Sequence, residues 1–173
     1  MKKLFLAAAF ALFGAVAVNA QQGFNLGAHV GLPMGDAKDT TSFTLGLDAS
    51  YLWPVGTDFY AGIGTGYQAW LGKDYTYSIQ GLGTYTVKAT TVNVVPLVAT
   101  ALYKVAPNFG LGLDLGYGLM FANGNNDGAF YYQPKVSYIM GKNGNVWLGY
   151  EGMSKNGSSV SSLNLGYSYS FGK

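Results

Sequence analysis

The sequence predicts an all-β fold, an eight-stranded antiparallel up-and-down transmembrane β-barrel, and three observations predict it. First, the stretch Phe109 to Phe121, FGLGLDLGYGLMF, alternates large apolar residues with glycine and a single aspartate. A period of two means an extended strand with two unlike faces. A soluble sandwich would carry Thr, Lys, Ser and Glu on the face opposite its greasy one, whereas this second face is almost bare glycine, which suits a small closed barrel whose apolar side meets lipid. Second, charged residues make up only 10% of the chain, with 26 Gly and 14 Tyr, against about 25% charged residues in an ordinary soluble domain. Third, eight such segments follow one another, each near the roughly 9 to 11 residues that a tilted strand needs to cross a bilayer.

Ahead of these segments, Lys2 and Lys3 precede an apolar run from Leu4 to Val18 that ends Val18-Asn19-Ala20 before Gln21. This pattern is that of a secretory signal peptide over residues 1–20, leaving 21–173 as one barrel domain. The chain has no cysteine, so the exported domain must hold together without disulfides. No other apolar run approaches the roughly twenty residues of a spanning helix. Two of the ten basic residues, Lys2 and Lys3, belong to the leader, and the remainder is balanced against eight Asp and Glu. A neutral domain is not suited to nucleic acid.

The segments read as follows. The first, Phe24 to Leu32, turns Phe24, Leu26, Ala28, Val30 and Leu32 outward and Asn25, Gly27, His29 and Gly31 inward. The second, Phe43 to Trp53, sets Phe43, Leu45, Leu47, Ala49, Tyr51 and Trp53 against Thr44, Gly46, Asp48 and Ser50. The third, Phe59 to Trp70, sets Phe59, Ala61, Ile63, Thr65 and Tyr67 against Gly62, Gly64, Gly66 and Gln68. The fourth, Thr91 to Tyr103, is apolar on both faces, and Leu97, Ala99, Ala101 and Tyr103 are taken as outward. The fifth is Phe109 to Phe121. In the sixth, Phe130 to Met140, Lys135 fixes the register, because a lysine on the lipid side near the midplane costs about 2 to 4 kcal/mol; Gln133, Lys135 and Ser137 therefore face inward. The seventh, Val146 to Met153, turns Trp147 and Glu151 in, and the eighth, Val160 to Phe171, turns Leu163, Leu165, Tyr167, Tyr169 and Phe171 out.

The connections alternate. Residues 54–57, 104–108 and 141–145 are short, with Asn143-Gly144 suited to a type I′ turn; residues 33–42, 72–90, 122–129 and 154–159 are on average longer and more polar. Outer-membrane barrels keep short turns in the periplasm and long loops outside, which puts both termini in the periplasm. Tyr51, Trp53, Phe59, Tyr103, Phe109, Tyr138, Tyr169 and Phe171 gather at one rim and Phe43, Tyr67, Tyr117, Phe121, Phe130, Tyr132 and Tyr150 at the other, as interfacial aromatics do. Pro96 and Pro134 lack a ladder N–H and are expected at bulges or strand ends.

With its cleavable leader, eight dyad-repeat segments, alternating connections and closing LNLGYSYSF, the chain resembles the small eight-stranded outer-membrane barrels of OmpX and OmpA type, and the porin-like barrel proteins common in Bacteroidetes. Gly172 and Lys173 depart from that pattern by following the last aromatic. The resemblance implies an integral protein of the Gram-negative outer membrane, monomeric and surrounded by lipid. Its family includes adhesins, tethers and narrow channels.

Two groups of residues carry the functional expectations. His29, Asp48, Asp114, Lys135 and Glu151 face the lumen and form a charge network; it is either a gate or reactive site, or a structural filling, because an eight-stranded barrel is just wide enough for side chains to fill. In the stretch 72–90, Tyr75, Tyr77 and Ile79, then Tyr85 and Val87, alternate with polar residues about Gly81-Leu82-Gly83. This suggests that strands three and four continue outside the membrane as a hairpin, either a contact edge for an extracellular protein or host surface or a mere strand extension.

Catalysis is not expected, since no nucleophile motif surrounds the serines near His29. No cofactor or metal is expected either: Gly62-x-Gly64-x-Gly66 lacks the strand-to-helix setting of a phosphate loop, and Asn123 to Gly128 offers calcium a single carboxylate. The expected function is a surface structural or interaction (adhesin-like) protein with a largely plugged lumen. The alternative is a narrow channel for water, ions or small solutes.

Overall fold

Alternating side chains close the chain on itself. The computed structural model describes residues 23–79, 83–87 and 89–171; the expected leader, and residues 80–82 at the tip of the expected hairpin, lie outside the described residues. The barrel strands are β1 (Gly23–Met34), β2 (Thr41–Pro54), β3 (Phe59–Gly72), β6 (Val92–Ala106), β7 (Phe109–Ala122), β8 (Asn125–Met140), β9 (Gly144–Lys155) and β10 (Ser158–Ser170). They form one closed barrel in the order β1-β10-β9-β8-β7-β6-β3-β2, and every neighbouring pair is antiparallel. Closure leaves no free edge, so each strand has a partner on both sides. A short helix α1 (Ala37–Thr40) joins β1 to β2, and β4 (Tyr75–Ile79) with β5 (Gly83–Val87) forms a separate two-stranded sheet between β3 and β6. We call the end with Gly23 and Ser170 the terminal end, and the other the hairpin end.

The outer surface is apolar. Leu47, Ile63, Val30, Leu97 and Leu165 all exceed half exposure, and Leu111, Leu113 and Leu115 continue the belt around β7. An aqueous surface rarely shows a contiguous apolar patch above a few hundred Å², so a belt around the whole barrel is at home only against hydrocarbon. Its rims are aromatic: Phe109 packs edge-on against Tyr138 at 5.1 Å and Tyr169 against Phe171 at 5.0 Å at the terminal end, and Tyr132 lies between Phe130 and Tyr150 at the hairpin end. On β6, Leu97 is 53% exposed and Val94 0%, which fixes the ambiguous strand with Leu97, Ala99, Ala101 and Tyr103 outward.

Three local expectations are corrected. Asn143-Gly144 is not the two-residue turn; Gly141 takes the left-handed φ of 62° and Met140 pairs directly with Gly144. Parity explains this. Inward residues are odd-numbered on both β8 and β9, so paired residues must share parity, and a loop at 143–144 would pair Lys142 with Asn145 and turn one strand inside out. The left-handed Asn-Gly turns lie instead at Asn123-Gly124 (φ 48° and 80°) and Asn156-Gly157 (φ 50° and 83°), where the inward residues of the joined strands have opposite parity. Those two connections are consequently tight hairpins, and the length difference between the barrel ends is carried by residues 35–40 and 73–91.

The prolines mark neither bulges nor strand ends. Between β3 and β6 the ladder passes from Thr65↔Leu97 to Gln68↔Val94, skipping Pro96 without changing register. Between β8 and β9 it passes from Tyr132↔Gly152 to Lys135↔Gly149, skipping Pro134 in the same way. Each ring therefore interrupts one ladder locally. The register shifts lie elsewhere, at Thr41/Phe43 and Lys104/Ala106. The third correction concerns the hairpin, which does not continue β3 and β6 without a break: the Lys73 amide bonds the Thr40 carbonyl at 2.9 Å, turning the chain toward the start of β2.

Inside, bulk is matched to absence of bulk. His29 is paired with Gly46, Trp147 with Gly166, Lys135 with both Gly112 and Gly149, and Tyr131 with Gly116. A Cβ at Gly46 would fall within the His29 ring, and one at Gly166 within the Trp147 indole. On β7, Gly112 receives Lys135, Gly118 lies against Met153, Val94 and Tyr131, and Gly116 is met by the β6 backbone at Leu97 and Val98, while Trp147 lies over the glycines of β10 and β9.

Candidate functional site

The lumen is built in layers. At the hairpin end Trp70, Val94, Tyr131 and Met153 form an apolar cluster with Ala129 and with Ala37 of α1. The helix is short, but it sets Ala37 over the barrel mouth at 3% exposure, so the plug and its cover share one core.

Beneath the plug lies a buried polar layer. Glu151 is 0% exposed. Its Oε2 accepts from Asn164 Nδ2 at 2.6 Å, and with the Gln68 amide turned so that its nitrogen faces the carboxylate, Gln68 donates to the two oxygens at 2.9 and 3.1 Å. Ser162 donates to Asn164 Oδ1 at 2.8 Å, and Thr44 lies 3.4 Å from the same oxygen. Among the described residues no lysine, arginine or histidine nitrogen is in ion-pair reach of Glu151; its direct partners are the two amides.

The next layer holds a histidine–aspartate contact and an ion pair. His29 Nδ1 lies 2.7 Å from Asp48 Oδ2, with the His29 ring tilted against Trp147 at 5.6 Å. Lys135 Nζ donates to Asp114 Oδ2 at 2.6 Å, and Thr100 Oγ1 to Asp114 Oδ1 at 2.6 Å. A void of about 50 Å³ lies between these groups. At the terminal end a cavity of about 410 Å³ opens, lined by Lys104, Lys135, Lys142, Tyr60 and Trp147 among others.

Of the five charged residues singled out from the sequence, all face the lumen, but they are three separate units: His29 with Asp48, Lys135 with Asp114, and Glu151 with two amides. No serine hydroxyl is hydrogen-bonded to His29 among the described residues, and its Nε2 has no hydrogen-bond partner. No group of three His, Cys, Asp or Glu suited to a metal ion occurs among the described residues. In the hairpin, Tyr75 pairs with Val87, Tyr77 with Tyr85, and Ile79 with Gly83, so the five expected contact residues hold positions of one parity. The other parity is tied by Thr76 and Thr86 at 3.3 Å, and Asp74 Oδ1 accepts from the Ala89 amide at 2.9 Å at the base. Outside the membrane-spanning part, Lys155 donates to Asp127 Oδ1; this bond and the Gly128 amide hold the Asp127 carboxyl below its ordinary value.

The sequence reading did not pick out the partners of Glu151. Gln68 and Asn164 have inward parity, but parity does not say which inward residues share a height. Lys104 and Lys142 were missed because both sit near strand ends, where a lysine is equally at home in water.

No protein-family model matches the sequence, and a search of curated proteins gave no match. Solved structures do match. Ail, the attachment invasion locus protein of Yersinia pestis, is similar over 88% of this chain and 99% of its own, at 12% identity and a TM-score of 0.51. Ail in complex with the heparin analogue sucrose octasulfate is similar over 86% of this chain and 97% of its own, at 12% identity and a TM-score of 0.54. The de novo designed TMB2.3, solved in solution, is similar over 88% of this chain and 97% of its own, at 14% identity and a TM-score of 0.53. At such identities the likeness establishes the fold, a closed eight-stranded barrel of the outer-membrane type.

Proposed function

We propose that the chain is an integral protein of the Gram-negative outer membrane that acts at the cell surface as a structural or interaction protein, with a lumen closed to through passage. The observation that carries this reading is the plug: Trp70, Val94, Tyr131 and Met153, covered by Ala37, over a fully buried Glu151 layer. A barrel closed in this way acts through what it displays. The displayed element is the β4–β5 sheet, which among the described residues is separate from the closed barrel and offers a two-stranded ladder to which a partner strand can add. On this reading the hairpin end is extracellular and both termini are periplasmic. The attachment invasion locus protein among the similar structures supports a surface role.

The test is adhesion of cells expressing the chain, with and without residues 75–87 replaced by a short Gly/Ser turn. Adhesion retained after the replacement would sink the role of the hairpin. A narrow channel is the second reading, favoured by the cavity that reaches mid-barrel from the terminal end. Planar-bilayer recordings separate the two: a plugged barrel is silent, and stable openings that change with Lys135→Ala would establish the channel.

A further inference from the structure

The terminal half of the lumen contains chemistry that the surface role does not use. The cavity there has a volume of about 410 Å³, at the lower end of the roughly 300 to 1,000 Å³ typical of small-molecule sites. Among the described residues, Lys104, Lys135 and Lys142 line it and no carboxylate does. Asp114 is bonded to Lys135 at 2.6 Å from behind the lining, so it answers one of the three ammonium groups. Lys104 is held in place, its Nζ donating to the Tyr60 hydroxyl at 3.1 Å and standing 4.7 Å from the centre of that ring. Both contacts are with one tyrosine and neither is with a carboxylate, and an ammonium group has three donors. The remaining lining includes Asn25, Ser50, Ser137 and Ser168, which offer hydrogen bonds without charge.

Like charges facing one enclosed volume with low-dielectric walls raise the local potential and concentrate counter-ions. We propose that this vestibule binds a small soluble anion bearing a carboxylate or phosphate group, taken up from the compartment at the terminal end. Lys104 and Lys142 supply the unanswered charge, and the hydroxyls and amides orient the ligand. Trp147, whose ring lies 5.4 Å from Lys135 Nζ, forms part of the wall. The plug reading enters only in making the site blind, so that the ligand leaves by the mouth through which it came.

The chain has three tryptophans, which makes indole N–H resonances a convenient readout. Trp147 lines the vestibule, whereas Trp70 belongs to the plug and serves as internal control. The refolded barrel, in a maltoside detergent that carries no phosphate, is titrated with citrate and with inorganic phosphate at constant ionic strength. The expected result is a saturable shift of the Trp147 indole with Trp70 unmoved, and a dissociation constant raised roughly tenfold per charge removed in Lys104→Gln and in Lys142→Gln. Lys142 is an exposed turn residue, so its variant keeps the test valid if Lys104→Gln misfolds. A linear shift of equal size in wild type and variants would overturn the site, as would equal movement of Trp70. Repeating the titration in anionic-lipid nanodiscs separates a soluble ligand from a headgroup: loss of the citrate response there would mean that lipid occupies the site, against the proposal. Conductance with binding intact would remove the plug and leave the site standing.

Discussion

Asp114 and Lys135 meet diagonally across the β7–β8 ladder, two residues off register: Asp114 is opposite Gln133 and Lys135 opposite Gly112, yet the carboxylate and ammonium groups lie 2.6 Å apart. Gly112 permits this, since a Cβ there would stand 3.3 Å from the Lys135 Cβ and 3.4 Å from its Cε. With both side chains largely buried, removal of one partner leaves the other charge uncompensated. We expect Asp114→Asn or Lys135→Met to destabilise the refolded barrel by about 3 kcal/mol, and the double variant by less than the sum, with a coupling of about 1 to 3 kcal/mol in urea unfolding. A coupling near zero would show that the pair does not form.

Glu151 is held directly by two amide donors. Glu151→Gln keeps an acceptor for Asn164, and the Gln68 amide can turn to suit, so a loss of less than about 1 kcal/mol is expected. Glu151→Leu strands the amides of Asn164 and Gln68 and is expected to cost several kcal/mol, at about 1 to 3 per unsatisfied group. Equal stability of the two variants would remove the argument.

The fit of His29 over Gly46 predicts a rescue. Gly46→Ala places a methyl group in the space of the imidazole ring and should destabilise by about 1 to 3 kcal/mol. Adding His29→Ala should recover part of that loss, because the clash then has no second party. Simple additivity of the two losses would count against the fit.

Asp127 supplies the pH dependence. Its carboxyl is held below the ordinary value, first by the Lys155 hydrogen bond, so the interaction is fully present above the unfolded value and is lost as pH falls through the folded one. Carbon-detected titration should find Asp127 protonating at lower pH than an unpaired aspartate, and Lys155→Gln should return it toward the ordinary value. An unchanged midpoint in Lys155→Gln would exclude Lys155 as the cause.

The faces of the barrel were legible because hydrocarbon outside allows few exceptions: once Lys135 had to point inward, all of β8 followed, and Asp114 and Glu151 fell on the same side by parity. Even the turn at 141–143 was within reach, since the inward parity of Lys135 and Trp147 rules out a two-residue loop at Asn143-Gly144. Heights around the barrel were not legible. Whether Glu151 meets Lys135, His29 or Gln68 depends on how far each strand is staggered against the next, a quantity that alternation leaves open. For that reason one charge network in the sequence became three units in the structure.

The two proline interruptions divide the wall. They fall between β3 and β6 and between β8 and β9, so the closed sheet is two staves, β6-β7-β8 and β9-β10-β1-β2-β3, joined along two ladders that each carry one local gap. Asp114–Lys135 lies within the first stave, and His29–Asp48 and Glu151–Asn164 within the second; of the two lysine–aspartate pairs among the described residues, Lys155–Asp127 at the rim joins β9 to β8 across one of these ladders. The amides flanking each gap lose the protection of a paired strand there, and amide exchange beside Pro96 and Pro134 should outpace that of the uninterrupted ladders.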